Sequence, residues 1–93
     1  MRICLLSVFD QAAKRYVDPF PAPTVEFAIR GFKEAVMTEG HQFNKFPEDY
    51  VLFQVGSFDV ESGVIDPCTP VKISQALDFV GAPSLMLEDA ADA

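Results

Sequence analysis

One stretch in the middle of the chain, residues 44–59, constrains the fold more than any other. It opens with a Pro-Glu-Asp turn and continues through residues 50–58 as an apolar run rich in β-branched and aromatic side chains. Successive side chains of a strand point to opposite faces of a sheet, and here both alternating positions are apolar. This pattern predicts a strand that needs cover on both faces. The apolar residues of one parity are Val51, Phe53 and Val55, and those of the other are Leu52 and Phe58.

A first strand and one long helix precede this stretch. Residues 2–9 form a short apolar run with no clear polar face, which predicts a strand. Residues 23–38 have helical periodicity, with proline at the first position and Gly40 placed as a C-cap. Between them, residues 10–22 are expected to form a loop, because prolines follow one another at every second position towards its end. Two apolar strands separated by a helix indicate a βαβ unit with a parallel pair.

The segment after the central strand predicts a hairpin, followed by a short strand and a helical turn. Residues 59–63 run from Asp to Gly, and Gly63 is placed to adopt positive φ. The returning strand is expected to stop at Pro67, and residues 70–80 to form a short strand followed by a helical turn.

These elements define an α+β fold with one small domain, residues 1–83. The core is β-α-β-β, with one main helix at about residues 23–38 packed on a short mixed sheet. The remaining residues, 84–93, are acidic and rich in alanine, and are expected to form a mobile tail.

Charge is unevenly distributed along the 93 residues. The net charge is −7, yet residues 1–46 carry six basic against five acidic side chains, whereas residues 47–93 carry Lys72 against nine acidic ones. Bulk attraction to nucleic acid is therefore disfavoured. The apolar runs are too short to span a bilayer and no signal-peptide pattern is present, so we expect a cytoplasmic protein without a membrane partner. Cys4 and Cys68 are expected to be reduced.

The sequence contains no arrangement typical of catalysis. It has no glycine-rich phosphate loop and no Ser/His/Asp or Cys/His set, and its single histidine, His41, has no partners at metal-ligand spacing. We therefore expect no enzyme, no catalytic residue, no metal, no cofactor and no small-molecule substrate.

Basic and aromatic side chains in the first half indicate a local nucleic-acid-binding patch as one hypothesis. Cations would meet phosphates, and two aromatic side chains would stack on bases. The alternative is that the aromatic residues pack their loop onto the sheet and that the charges form solvated faces. The candidates are Arg2, Lys14, Arg15, Tyr16, Phe20, Arg30, Lys33 and Lys45.

A single helix covers one face of a small sheet, although both main strands are apolar on both parities. We expect the second face to be buried against another copy of the chain, as a homo-oligomer with a dimer as the first candidate, or against a partner. The competing account is that the proline-rich loop and the residues after Pro70 fold over that face.

Five segments of the chain carry a family resemblance. The most distinctive are Phe46–Phe53 and Gly56–Asp59, and the others are the strand ending Phe9-Asp10, the loop Asp18–Phe20 and the helical run Ala28–Phe32. They resemble the small nonstructural protein of gokushovirus-type microviruses, which are single-stranded DNA phages. The resemblance covers most of residues 1–80. It implies a non-enzymatic accessory protein of the host bacterial cytoplasm that acts in the switch to single-stranded genome synthesis and packaging. The implied partners are a phage replication protein or single-stranded DNA.

Overall fold

A computed structural model describes residues 1–80 of the chain. In this part the predicted α+β fold is confirmed: one sheet is covered by one main helix and two short ones. The predicted tail, 84–93, and the last three residues of the predicted domain lie outside the described residues. The elements are β1 (Arg2–Asp10), β2 (Arg15–Tyr16), β3 (Phe20–Ala22), α1 (Val25–Met37), α2 (Gln42–Lys45), a 3-10 turn (Pro47–Asp49), β4 (Tyr50–Asp59), β5 (Ile65–Gln75) and α3 (Leu77–Val80).

The strand pairs of residues 1–80 are all antiparallel, so the predicted parallel pair and the mixed sheet are wrong. The order across the sheet is β2-β1-β4-β5, and β3 pairs with β1 on the same edge as β2. The reason lies in residues 10–22, which form β2 and β3 and not the expected loop. They return the chain to the start of β1, where Ala22 pairs with Cys4. Helix α1 then leads back towards the other end, and β4 enters with Tyr50 opposite Asp10.

A compact turn makes this return possible. The Asp10 carboxylate accepts hydrogen bonds from the backbone N–H groups of Ala12 (3.0 Å) and Ala13 (3.2 Å). Lys14 closes the turn at φ 60°, a left-handed conformation that non-glycine residues rarely adopt. The prolines that predicted a loop are compatible with β3, because an edge strand does not need every N–H for pairing.

The core lies between α1 and one face of the sheet. Helix α1 begins after Thr24, whose hydroxyl accepts a hydrogen bond from the N–H of Phe27 at 3.1 Å, and not at Pro23 as predicted. Its predicted apolar stripe is confirmed by the burial of Ala28, Phe32 and Val36. The sheet residues of the core cluster are Leu6, Val8, Ala22, Tyr50 and Leu52, with Cys4, Phe20 and Ile73 partly buried beside them, and Ala76, directly after β5, joins the cluster.

Strand β4 is the central strand that the sequence predicts, but its side chains alternate differently. A bulge between Leu5 and Leu6 of β1 leaves Val55 of β4 without a paired residue, since Leu6 is opposite Gln54 and Leu5 is opposite Gly56. Beyond the bulge the parity is reversed. Phe58 therefore lies on the same face as Phe53, whereas strict alternation would separate them.

The turn between β4 and β5 forms as predicted, but strand β5 is longer than predicted. Gly63 adopts φ 79°, as expected. The N–H of Glu61 donates to the Asp59 carboxylate at 3.0 Å and lowers the pKa of Asp59. Strand β5 does not stop at Pro67 but continues to Gln75, because it is an edge strand that tolerates proline. The predicted strand and helical turn within residues 70–80 are confirmed by the end of β5 and by α3.

Replacing Gly56 with alanine is expected to destabilise the fold by about 1–3 kcal/mol. A Cβ at this buried position would lie 2.6 Å from the backbone oxygen of Asp66 on β5, and strand backbone yields less readily than a side chain. Gly31→Ala is the matched control. A Cβ there meets nothing within 4 Å, and alanine favours the helix by about 0.5–1 kcal/mol. Urea unfolding measures both changes, and equal effects would contradict the close approach of β4 and β5.

Tyr50 is expected to titrate above the reference pKa of 10.0. Burial raises its pKa, and the carboxylates of Asp10 and Asp49 raise it further. The folded chain then keeps the phenol proton at pH values where the unfolded chain has lost it. Stability is unaffected near neutral pH and falls as pH rises past 10.0.

Ultraviolet absorbance of the phenolate measures this pKa in a Tyr16→Phe variant, in which Tyr50 is the one remaining tyrosine. The same variant unfolded in guanidinium is the control and is expected to titrate near 10.0. Coincident folded and unfolded titrations would show that Tyr50 is solvated.

Candidate functional site

The sheet has a second face that no element of residues 1–80 covers. Residues 10–22 extend the sheet at its edge, and α3 packs against α1 on the helix side, with Phe79 and Phe32 ring centroids 6.2 Å apart. Within the described residues, the segment after Pro70 does not cover this face, and the proline-rich segment covers only the part around Ser7, which is buried and donates to the Val17 carbonyl. We call it the open face; register pairing assigns to it Ile3, Leu5, Ser7, Phe9, Tyr16, Pro21, Val51, Phe53, Gly56, Phe58, Ile65, Pro67, Lys72 and Gln75.

Three aromatic rings cluster on one half of the open face. Phe9 of β1 lies 4.8 Å from Tyr16 of β2 and 6.5 Å from Phe53 of β4, measured between ring centroids. Tyr16 and Phe53 are 5.6 Å apart. Phe53 meets both neighbours edge-on, at interplanar angles of 88° and 71°. These distances are those of favourable aromatic contacts, so we treat Phe9, Tyr16 and Phe53 as one unit, the aromatic cluster.

Polar groups are few in this half of the face. The Ser7 hydroxyl is buried and donates to the Val17 carbonyl at 2.7 Å, so it is already satisfied. Lys72 of β5 is paired in register with Phe53, which places the ammonium-bearing side chain beside the aromatic cluster. Tyr16 is 39% exposed, which leaves its ring accessible from solvent.

The strand carboxylates lie on the opposite face. Asp10 pairs with the core residue Tyr50, and Asp66 pairs with Ser57, which is opposite Cys4 on the helix side. Asp59 pairs with Arg2 on that same side. Among the described residues that register pairing assigns to the open face, none is acidic and Lys72 is the one charged side chain. A chain of net charge −7 therefore presents an acid-free surface.

The other half of the open face is apolar, with three aliphatic side chains and one phenylalanine. Ile3 pairs with Phe58, and Phe58 pairs with Ile65 of β5, which is 59% exposed. Leu5 lies between this group and the aromatic cluster. We call Ile3, Leu5, Phe58 and Ile65 the aliphatic cluster; its composition is that of a surface buried by another protein.

The structure does not bring the predicted nucleic-acid-binding residues into one surface. Tyr16 lies on the open face, whereas Phe20 pairs with Leu6 and packs into the core side. Arg2 forms a salt bridge with Asp66 and donates to Ser57, at the far end of β1 from Arg15. That separation is roughly 26 Å at the usual rise of a strand.

The remaining predicted cations are also dispersed. Lys14 is the last residue of the β1–β2 turn, directly before Arg15. Arg30 and Lys33 lie on the exposed surface of α1, where they border a shallow groove with Glu34. Lys45 ends α2. Of the eight candidates, Tyr16 lies on the open face and Lys14 precedes it in the turn at the same end of the sheet, whereas Arg15 pairs with Asp10 on the helix side.

Sequence reasoning missed Phe9, Phe53 and Lys72 as members of a site. Phe9 and Phe53 belong to predicted strands, where aromatic residues are usually interpreted as core. Lys72 is distant in sequence from both and is brought beside Phe53 by the register of β5. This register cannot be read from the sequence, because β5 is irregular and contains two prolines. Spacing alone carries no signal for this grouping.

An apolar pocket of about 310 Å³ lies on the helix side, between α1 and β3. Phe27, which is 58% exposed, borders it, and Phe32 and Phe43 form its inner wall. Its lining offers almost no polar group to orient a ligand, so it has the character of incomplete packing between helix and edge strand.

Among the helices of residues 1–80, none has the length and hydropathy needed to cross a membrane. In the same residues, no three His, Cys, Asp or Glu side chains are grouped in a way that would hold a metal ion.

Comparison with known proteins places the chain in a phage family. A family model described as Phage ORF5 protein matches residues 3–79, which include α1 and the described strands of the sheet except the first residue of β1. No curated protein and no solved structure matches the chain. Because the matched segment is most of the 93 residues, the chain belongs to the Phage ORF5 protein family.

Proposed function

We propose that this chain is a non-enzymatic accessory protein of a single-stranded DNA phage, acting in genome replication or packaging in the cytoplasm of the host bacterium. Membership of a phage protein family supports the phage setting. The resemblance of the Phe46–Phe53 and Gly56–Asp59 segments to the nonstructural protein of gokushovirus-type microviruses supports the role. The chain acts by contact, through protein partners or weak contacts with DNA.

The open face is the observation that carries this proposal. It is broad, mostly apolar, and free of carboxylates among the described residues, and its Ser7 hydroxyl is already hydrogen-bonded. A face of this kind gains free energy when another molecule removes it from water. Among its described residues, this face has no nucleophilic side chain next to a general base.

A second candidate is a homo-oligomeric scaffolding protein without nucleic-acid contact. The aliphatic cluster favours it, because Ile65 is 59% exposed and continues a row formed by Phe58 and Ile3. A two-fold dimer would pack two copies of this row against each other. The strand carboxylates, which lie on the helix side, would be directed away from such an interface.

Size-exclusion chromatography with light scattering tests the dimer. We expect a mass of twice 10.2 kDa at high micromolar concentration, and a monomer for Ile65→Asp, because a buried carboxylate at a two-fold interface is desolvated and repelled by its copy. The matched control is Val71→Asp. Val71 lies on the same strand with a similar exposure of 53%, but pairs with Gln54 on the helix side. A strictly monomeric wild-type chain would exclude the homo-oligomer.

A pull-down from phage-infected cells tests the role in replication or packaging. We expect the tagged chain to recover the phage replication protein or the single-stranded genome, each identified by mass spectrometry or sequencing. Nuclease treatment before elution separates a protein contact from one bridged by DNA. Recovery of neither would contradict the role and leave the scaffolding candidate.

A further inference from the structure

We propose that the aromatic cluster, together with Lys72, is a binding site for single-stranded DNA. The inference rests on the proposed function and assigns one ligand class to one half of the open face. Bases stack on the rings of Phe9, Tyr16 and Phe53, and the Lys72 ammonium contacts the phosphate backbone beside Phe53. The aliphatic cluster is left for a protein partner.

The position of the rings on the sheet is the first argument. Phe9 and Phe53 lie on β1 and β4, which are adjacent central strands, and Tyr16 extends the row onto β2. Aromatic side chains on neighbouring strands of an open sheet form a platform on which unstacked bases pack. The bases of a duplex are already stacked on one another, so a single strand is the form that fits such a platform.

Ring orientation limits how many bases are held. Phe53 is nearly perpendicular to Phe9, at 88°, and lies at 71° to Tyr16, so the three rings do not form one flat surface. One or two bases are therefore expected to stack, and not one on every ring. This predicts a site with low affinity for DNA, which orients the strand on the protein but does not hold it tightly.

Charge is the second argument. The open face carries no carboxylate among its described strand residues, and its one charge is the cation Lys72. Lys14 lies in the turn that leads into β2 and Tyr16, at the same end of the sheet, whereas Arg15 pairs with Asp10 on the helix side. A DNA backbone that crosses the cluster between this turn and β5 meets Lys14 at one side and Lys72 at the other. The net charge of −7 still opposes binding at long range, so the affinity falls steeply with salt.

Fluorescence anisotropy with a labelled oligothymidylate at low salt tests the site. Phe53→Leu and Tyr16→Leu remove a ring while they retain apolar bulk, and each is expected to weaken binding about tenfold. Lys72→Gln is expected to reduce the slope of log affinity against log salt by about 0.7. An abasic oligonucleotide keeps the phosphates but lacks bases. The wild-type chain is expected to bind it no more tightly than the ring variants bind oligothymidylate.

The matched controls lie on the other side of the molecule. Phe27→Leu removes a ring that is 58% exposed on α1, and Lys33→Gln removes one charge from the outer surface of the same helix. Both are expected to bind like wild type. Thermal unfolding of every variant shows that the fold is retained, so that lost binding is not lost structure.

Three results would overturn the proposal. The first is no binding by the wild-type chain at high micromolar concentration. The second is wild-type affinity in the ring and Lys72 variants, which would place DNA on another surface. The third is a ring variant that loses dimer mass but not DNA binding, which would assign the aromatic cluster to a second copy. In each case, recovery of the replication protein from infected cells would leave the proposed function intact.

Discussion

The antiparallel pairing of β1 with β4 is the constraint on which the rest of the structure depends. It runs the full length of β1, from Arg2 opposite Asp59 to Asp10 opposite Tyr50. This register decides which face of the sheet each side chain of the two strands lies on. Leu6, Val8, Tyr50 and Leu52 meet the helices, and Phe9 and Phe53 are left on the other side.

The bulge at Val55 gives the open face its two halves. Without it, Phe58 would share a face with Leu52 and would enter the core near the end of the sheet. With it, Phe58 joins Ile3 and Ile65 on the open face. The core is correspondingly concentrated near the Asp10 end, where Phe43 packs between Phe32 and Tyr50 with ring centroids 5.5 Å and 4.6 Å away. A single irregularity thus moves apolar surface from the interior to a potential interface.

The distribution of charge follows from the same register. The negative net charge of the chain argues against contact with nucleic acid when it is treated as a total. The paired strands, however, direct Asp10, Asp59 and Asp66 to the helix side and Lys72 to the open face. A chain that is acidic overall can therefore still present a surface suited to an apolar or anionic partner.

The amino-acid sequence by itself determined the elements whose signals are local. The apolar run of 50–58 predicted β4, the periodicity of Ala28, Phe32 and Val36 predicted α1, and the imbalance between one helix and two doubly apolar strands predicted a face without cover. Tertiary structure decided what depends on contacts between distant segments. Residues 10–22 became edge strands because β1 offered a free edge, and this reversed the expected direction of β4. The grouping of Phe9, Tyr16, Phe53 and Lys72 required the register of four strands, which is set by long-range hydrogen bonding and a bulge that no spacing in the chain reveals.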